Sequence, residues 1–112
     1  MQMIDWNAYR SQLGSRIGEV GKLSPDTVKG YLALSGAGAK TGVFDAKFRE
    51  LIALAAAVSL RCDGCIAVHT AQAKKLGATK EEIAEALGVA IAIGAGAALV
   101  YSTRVLDALD AA

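Results

Sequence analysis

The sequence predicts an all-α chain of about six helices, and three observations carry that prediction. No segment alternates apolar and polar residues with the period of two that a half-buried strand needs. Apolar residues recur instead at three- and four-residue spacings, between recognisable helix starts and stops. The composition is 54% hydrophobic, much of it Ala, which favours helix over sheet.

The elements follow in chain order. Asp5–Val20 places Ile4, Ala8, Leu13, Ile17 and Val20 on a loose 3.6-residue period, which predicts an amphipathic helix broken by Gly21–Leu23. Ser24-Pro25-Asp26 reads as a second start: Ser as N-cap, Pro at the first helical position, an acid in the first turn. That helix is expected to run to about Ser35. Gly36–Gly42 is the loosest stretch and reads as a loop, a connector before a mobile lid. A third helix begins at Phe44 or Asp45, and from Leu51 to Leu60 it is apolar on every side except Ser59, the pattern of a helix buried all round. The fourth, about Asp63–Leu76, ends in Lys74-Lys75-Leu76-Gly77, basic residues followed by the glycine of a helix stop. Thr79-Lys80-Glu81-Glu82 has the form of a capping box and opens a fifth helix with Ile83, Leu87 and Ile91 on one face. Gly94-Ala95-Gly96 is expected to kink or split it, leaving a last helix from Ala97 to Leu109. Tyr101 there reads as a core or interface residue, with closure of a site across subunits as the sharper alternative.

Length and charge bound the rest. A chain of 112 residues is expected to form one domain, residues 1–112. Ala and Gly supply much of its apolar count, so a single subunit has a thin core, and burial of helix faces between copies is the simplest remedy. Twelve basic and eleven acidic residues give a net charge of +1, with no basic stripe for nucleic acid and no acidic tail. The N-terminus MQMIDWNAYR has no apolar signal core, so a cytoplasmic location is expected. The most apolar stretch, Ala86–Tyr101, is short for a membrane span and interrupted by three glycines, which favours a buried helix over a bilayer one.

The chemistry concentrates in Glu50–His69, ELIALAAAVSLRCDGCIAVH, which holds both cysteines and the one histidine. Cys62 and Cys65 form a C-x-x-C. His69 stands four residues after Cys65, one helical turn on the same face. On one straight rod Glu50 would lie about 18 Å from Cys62, at about 1.5 Å per residue. If the chain instead reverses near Arg61–Gly64, Glu50 comes opposite His69, and an acid, an imidazole and two thiols share one place. Only the thiolate is nucleophilic, and a free cysteine titrates near about 8.5, so a base, a cation or a helix N-terminus must activate it. Cys62 has the helix start, whereas Cys65 has His69 in register. Helix-start dithiols point to Cys62 as the attacking sulfur, and the histidine points to Cys65. Two rivals stand beside this reading. The cysteines could be small buried hydrophobes beside a satisfied core histidine. Cys62, Cys65 and His69, with Glu50 as a fourth ligand, could hold zinc, although structural zinc usually draws on a second Cys/His pair and the chain has none.

Glu, eleven residues, Cys-x-x-Cys, three residues, His resembles the signature of the alkylhydroperoxidase D-like (AhpD-like) branch of the carboxymuconolactone decarboxylase superfamily. The likeness covers residues 50–69 and extends through the flanking helices to about 44–109. The resemblance implies an all-α AhpD-like bundle assembled as a homo-trimer or homo-hexamer, without a cofactor or resident metal. It implies a thiol-dependent peroxidase or disulfide reductase in antioxidant defence, with Glu50, Cys62, Cys65 and His69 as its catalytic set. Cys65 would react with a hydroperoxide, Cys62 would resolve it into a disulfide, and a dithiol reductant such as a lipoyl-bearing protein would regenerate the pair. One pattern of the branch carries a histidine immediately before the second cysteine, where Gly64 stands here. The alternatives are a carboxymuconolactone decarboxylase-type lyase without redox cycling and a non-enzymatic oligomeric binding module. Neither nucleic acid nor a membrane is an expected partner.

Overall fold

The structure is a computed structural model that describes residues 1–112, and it contains five α-helices and no strand. They are α1 (Trp6–Leu23), α2 (Pro25–Thr41), α3 (Ala46–Leu60), α4 (Asp63–Lys75) and α5 (Lys80–Ala111). Local chemistry sets most boundaries. Asp5 caps α1 by accepting from the Ala8 amide at 3.1 Å, and Asp45 caps α3 by accepting from the Phe48 amide at 2.8 Å. Thr79 and Glu82 form the reciprocal capping box at the start of α5, at 3.0 and 2.9 Å. Gly77, at φ 86°, ends α4: its amide bonds to the Lys74 carbonyl and the Ala78 amide to that of Ala73, both at 3.0 Å, as in a Schellman motif.

Two expected breaks in the helices are corrected. Gly36–Gly42 is not a loop, because α2 continues to Thr41 and stops only where Gly42 turns left-handed at φ 69°. The interleaved Ala37, Ala39 and Lys40 carry the helix past Gly36 and Gly38. Gly38 also leaves room for Arg49 of α3, whose Cδ lies 3.4 Å from where a β-carbon would sit. Likewise, Gly94-Ala95-Gly96 does not split the last element. α5 is one helix of 32 residues, so the chain has five helices rather than six. Two glycines among alanines weaken a helix by about 1 kcal/mol each without supplying an alternative backbone path.

Neighbouring packing links α1 to α2 and α4, and α3 to α4 and α5. The buried residues are few: Leu51, Leu54 and Ala57 on α3, with Ala67 and Ala73 on α4. The third helix is therefore buried along one face only. Ile52 and Leu60 are 47% and 77% exposed, contrary to the all-round burial its sequence predicts. α5 buries no residue completely, and Tyr101 lies exposed with the Arg104 guanidinium 4.9 Å above its ring. At about 1.5 Å per residue α5 is some 48 Å long, close to the 53 Å long axis of the whole chain. The radius of gyration is 17.9 Å, against roughly 13 Å for a compact unit of this length. The accessible area is 8,814 Å², against about 5,800 Å² for a folded monomer of this mass. By length and composition α5 could also cross a membrane.

Candidate functional site

The site is built by the turn between α3 and α4. Only Arg61 and Cys62 lie between the two helices. Arg61 takes the left-handed conformation, φ 53° and ψ 49°, at the position where Schellman motifs usually carry glycine. Its amide bonds to the Val58 carbonyl at 3.2 Å, and the Cys62 amide to the Ala57 carbonyl at 3.0 Å, which closes the motif. The chain thus reverses within two residues, and α4 runs back along α3.

This reversal brings Glu50 to His69. A Glu50 carboxylate oxygen lies 2.7 Å from His69 Nδ1 across 19 residues of sequence. A carboxylate only accepts, so in the neutral imidazole this contact places the proton on Nδ1 and the lone pair on Nε2. The side chains of His69 and Glu50 are 30% and 18% exposed, so the pair sits at the edge of the packed α3–α4 layer, within reach of solvent.

Cys62 is the N-cap of α4, and its sulfur accepts from the Cys65 amide at 3.2 Å. Cys62 and Cys65 are joined as a disulfide with Cα atoms 5.3 Å apart. Both residues are half-buried. Asp63 and Gly64 lie in the first turn of α4, which starts at Asp63 as the sequence predicts. Gly64 has a packing reason to lack a side chain: a β-carbon there would come within 2.9 Å of Leu13 Cδ2, where α1 crosses α4. That crossing occupies the place where a histidine stands in the related pattern.

No three His, Cys, Asp or Glu side chains converge as a metal-binding group. Neither the cleft of about 230 Å³ between α3 and α5 nor the groove of about 490 Å³ between α1 and α4 is lined by Glu50, Cys62, Cys65 or His69. Near the first cleft, Lys47 and Glu82 form an ion pair at 2.8 Å that ties the start of α3 to the start of α5. The hydrogen bond and charge of Glu82 raise the Lys47 pKa above its usual range, and Lys47 with the Thr79 amide lowers that of Glu82. Sequence reasoning missed Arg61, because a non-glycine residue in a left-handed turn has no local signature.

Comparison with known proteins agrees with this architecture. Residues 25–108 match the carboxymuconolactone decarboxylase family. An uncharacterised protein of Haemophilus influenzae is 49% identical over 104 residues, covering 93% of this chain and 92% of the relative. One from Cupriavidus necator is 33% identical over 107 residues, covering 96% of this chain and 95% of the relative. The crystal structure of an apo carboxymuconolactone decarboxylase family protein from Legionella pneumophila superposes with a TM-score of 0.74 at 36% identity, covering 88% of each chain. A crystal structure from Methanobacterium thermoautotrophicum gives 0.69 at 30% identity, covering 75% of this chain and 94% of that one.

Proposed function

We propose, from the premise that the chain belongs to the carboxymuconolactone decarboxylase family, that it is a dithiol oxidoreductase of the AhpD-like kind that reduces hydroperoxides. The observation that carries the reading is one helix start holding a Cys62–Cys65 pair, with an imidazole one turn further on fixed by an acid at 2.7 Å. A lyase acting only by acid–base chemistry needs Glu50 and His69 but has no use for a dithiol beside them.

In the proposed cycle, His69 Nε2 takes the Cys65 thiol proton, and Glu50 stabilises the imidazolium that results. The Cys65 thiolate attacks the terminal peroxide oxygen. The O–O bond breaks with its electron pair going to the alkoxide, which takes the proton from His69 and leaves as an alcohol. Cys65 is then a sulfenic acid. The Cys62 thiol attacks its sulfur, water departs with the thiol proton, and the disulfide closes. One hydroperoxide and two thiols thereby give one alcohol, one water and one disulfide. An external dithiol, of the lipoyl class, attacks the Cys65 sulfur and is itself oxidised. Cys62 is the leaving thiolate in that step, and the Cys65 amide that bonds its sulfur at 3.2 Å favours its departure.

A reversible dithiol suits a reducing compartment, and we read the protein as cytoplasmic on that ground. Residues 1–112 are taken as one functional unit because α1, outside the family match, packs on both α2 and α4. The subunits are taken to assemble through α2 and α5, which expose large apolar side chains such as Leu32, Leu34, Leu99 and Leu106.

The test is stoichiometric. Reduced protein is mixed with tert-butyl hydroperoxide, with and without dihydrolipoamide, and tert-butanol and free thiols are measured. One alcohol per dithiol in a single turnover, and sustained turnover with the reductant, are expected. Thiols that survive the peroxide would refute the reading. An acid–base activity that persists when both cysteines are replaced by serine would favour the lyase.

A further inference from the structure

We infer that the groove between α1 and α4 is a binding site for a small organic anion that carries a flat ring. It lies on a different face of α4 from the dithiol. With 100° between successive residues, the lining residues Ala67, Thr70, Ala71 and Lys74 fall about 100° or more round the helix from both Cys65 and His69. One wall is α1, which lies outside the residues matched by the family.

The groove follows from the way α1 crosses α4. Leu13 packs at Gly64, and the Arg10 guanidinium reaches the Ala67 carbonyl at 3.5 Å, so the two helices run in opposite directions. One turn further toward the N-terminus, Trp6 and Gln2 line the same space as Thr70 and Lys74. Trp6, Asn7 and Arg10 thus face Ile66, Thr70 and Lys74 across a space of about 490 Å³, within the usual size of a small-molecule site. Trp6 is half-buried, and its ring meets Tyr9 edge-on at 6.1 Å, which limits its movement.

The charges in this groove are unmatched. Arg10 bonds only the neutral Ala67 carbonyl and, at 2.7 Å, Asn7 Oδ1. Its remaining N–H groups have no partner, and no carboxylate pairs with either Arg10 or Lys74. No acidic residue lines the space. A guanidinium with free donors suits a carboxylate or phosphate, a nearby indole offers a face for a ring, and Lys74 adds attraction from the far end. Hydroxyl and amide groups of Thr70 and Asn7 complete the polar lining.

Trp6 is the one tryptophan of the chain, so its fluorescence reports on the groove directly. Benzoate and phenyl phosphate are titrated into the intact protein beside benzamide, the uncharged ring, and inorganic phosphate, the ringless anion. The expected result is saturable quenching by at least one ring-bearing anion, near millimolar, with a much weaker response to benzamide and to inorganic phosphate. Which of the two binds tighter assigns the head group as carboxylate or phosphate. Arg10→Gln should weaken binding about tenfold, Arg10→Lys should restore part of it, and Lys74→Gln should weaken it less and reduce its salt dependence. The Lys74 side chain is exposed and forms no ion pair, so its variant remains informative if Arg10→Gln loosens α1. No saturable response, equal responses to benzoate and benzamide, binding of inorganic phosphate alone, or indifference to Lys74→Gln would each overturn the assignment. Occlusion of the groove by a second copy of the chain would appear as the first of these.

Discussion

Replacing Glu50 with glutamine keeps the size and an acceptor oxygen for His69 Nδ1 but removes the charge. The magnitude follows from the 2.7 Å separation. If His69 becomes an imidazolium as Cys65 loses its proton, the lost Coulomb attraction is about 1.5 kcal/mol in a water-like medium and about 6 kcal/mol at an effective dielectric of 20. With side chains 30% and 18% exposed, the pair lies between these limits. A value of about 3 kcal/mol corresponds to a rate loss of roughly a hundredfold, within the range general-base catalysis supplies. The assay is single-turnover oxidation of the reduced protein by hydrogen peroxide, read as thiol loss, with alkylation rates against pH for the wild type, Glu50→Gln, His69→Ala and the double variant. Because Glu50 acts through His69, the double variant should be little slower than His69→Ala alone. Multiplicative losses, or an unchanged rate in Glu50→Gln with intact helicity, would refute the relay and leave Glu50 as a helix-edge acid.

Four further outcomes are expected. Mild oxidation should remove two hydrogens per subunit and give an internal Cys62–Cys65 disulfide by mass spectrometry; predominantly intersubunit disulfides would contradict the cycle. Light scattering in detergent-free buffer should report a soluble oligomer, because the chain's 8,814 Å² of accessible area exceeds the folded-monomer expectation by about 3,000 Å², an amount typical of obligate interfaces. A stable micromolar monomer, or a chain soluble only in detergent, would count against that. Gly77→Ala forces a side chain into φ 86° and should lower stability by roughly 1 kcal/mol, about 4 °C in Tm for a chain of this length; an unchanged Tm would mean the turn relaxes. The Lys47–Glu82 pair should stabilise the fold above the ordinary Glu82 value of 4.5 and lose that contribution as pH falls through its lowered pKa, and likewise weaken as pH climbs past the ordinary Lys47 value of 10.5. Lys47→Met should flatten the acid limb of the stability profile, and an unaltered limb would show the pair to be idle.

Much of the framework is legible in the sequence because it depends on local chemistry. The Thr79–Glu82 capping box and the Gly77 stop involve residues within one turn of each other, and their geometry follows from residue type. What the sequence obscures depends on context. Gly36 and Gly94 look like breakers, yet a glycine breaks a helix only when the neighbours offer a better path, and here alanines do not. The apolar character of Ile52 and Leu60 implies burial, but one chain cannot supply the covering surface. Glu50 and His69 are visible as candidates, and their meeting requires a tight reversal at Arg61, a residue whose type argues against a left-handed turn. The glycine at position 64 gains a reason only once α1 is seen to cross there.

The two-residue connection at Arg61–Cys62 also has a consequence for biosynthesis. The four candidate residues lie within one short helical hairpin, Glu50 and His69 being 19 positions apart, so their association has low contact order and needs no distant segment. Translation proceeds at about 5–20 residues per second, so the 32 residues of α5 take roughly 2–6 s more to appear, while helices pair on far shorter timescales. The hairpin is therefore expected to close on the nascent chain before its long neighbour emerges. An oxidant met at that stage finds two thiols three residues apart and no third, so it can close only the ring the finished protein contains.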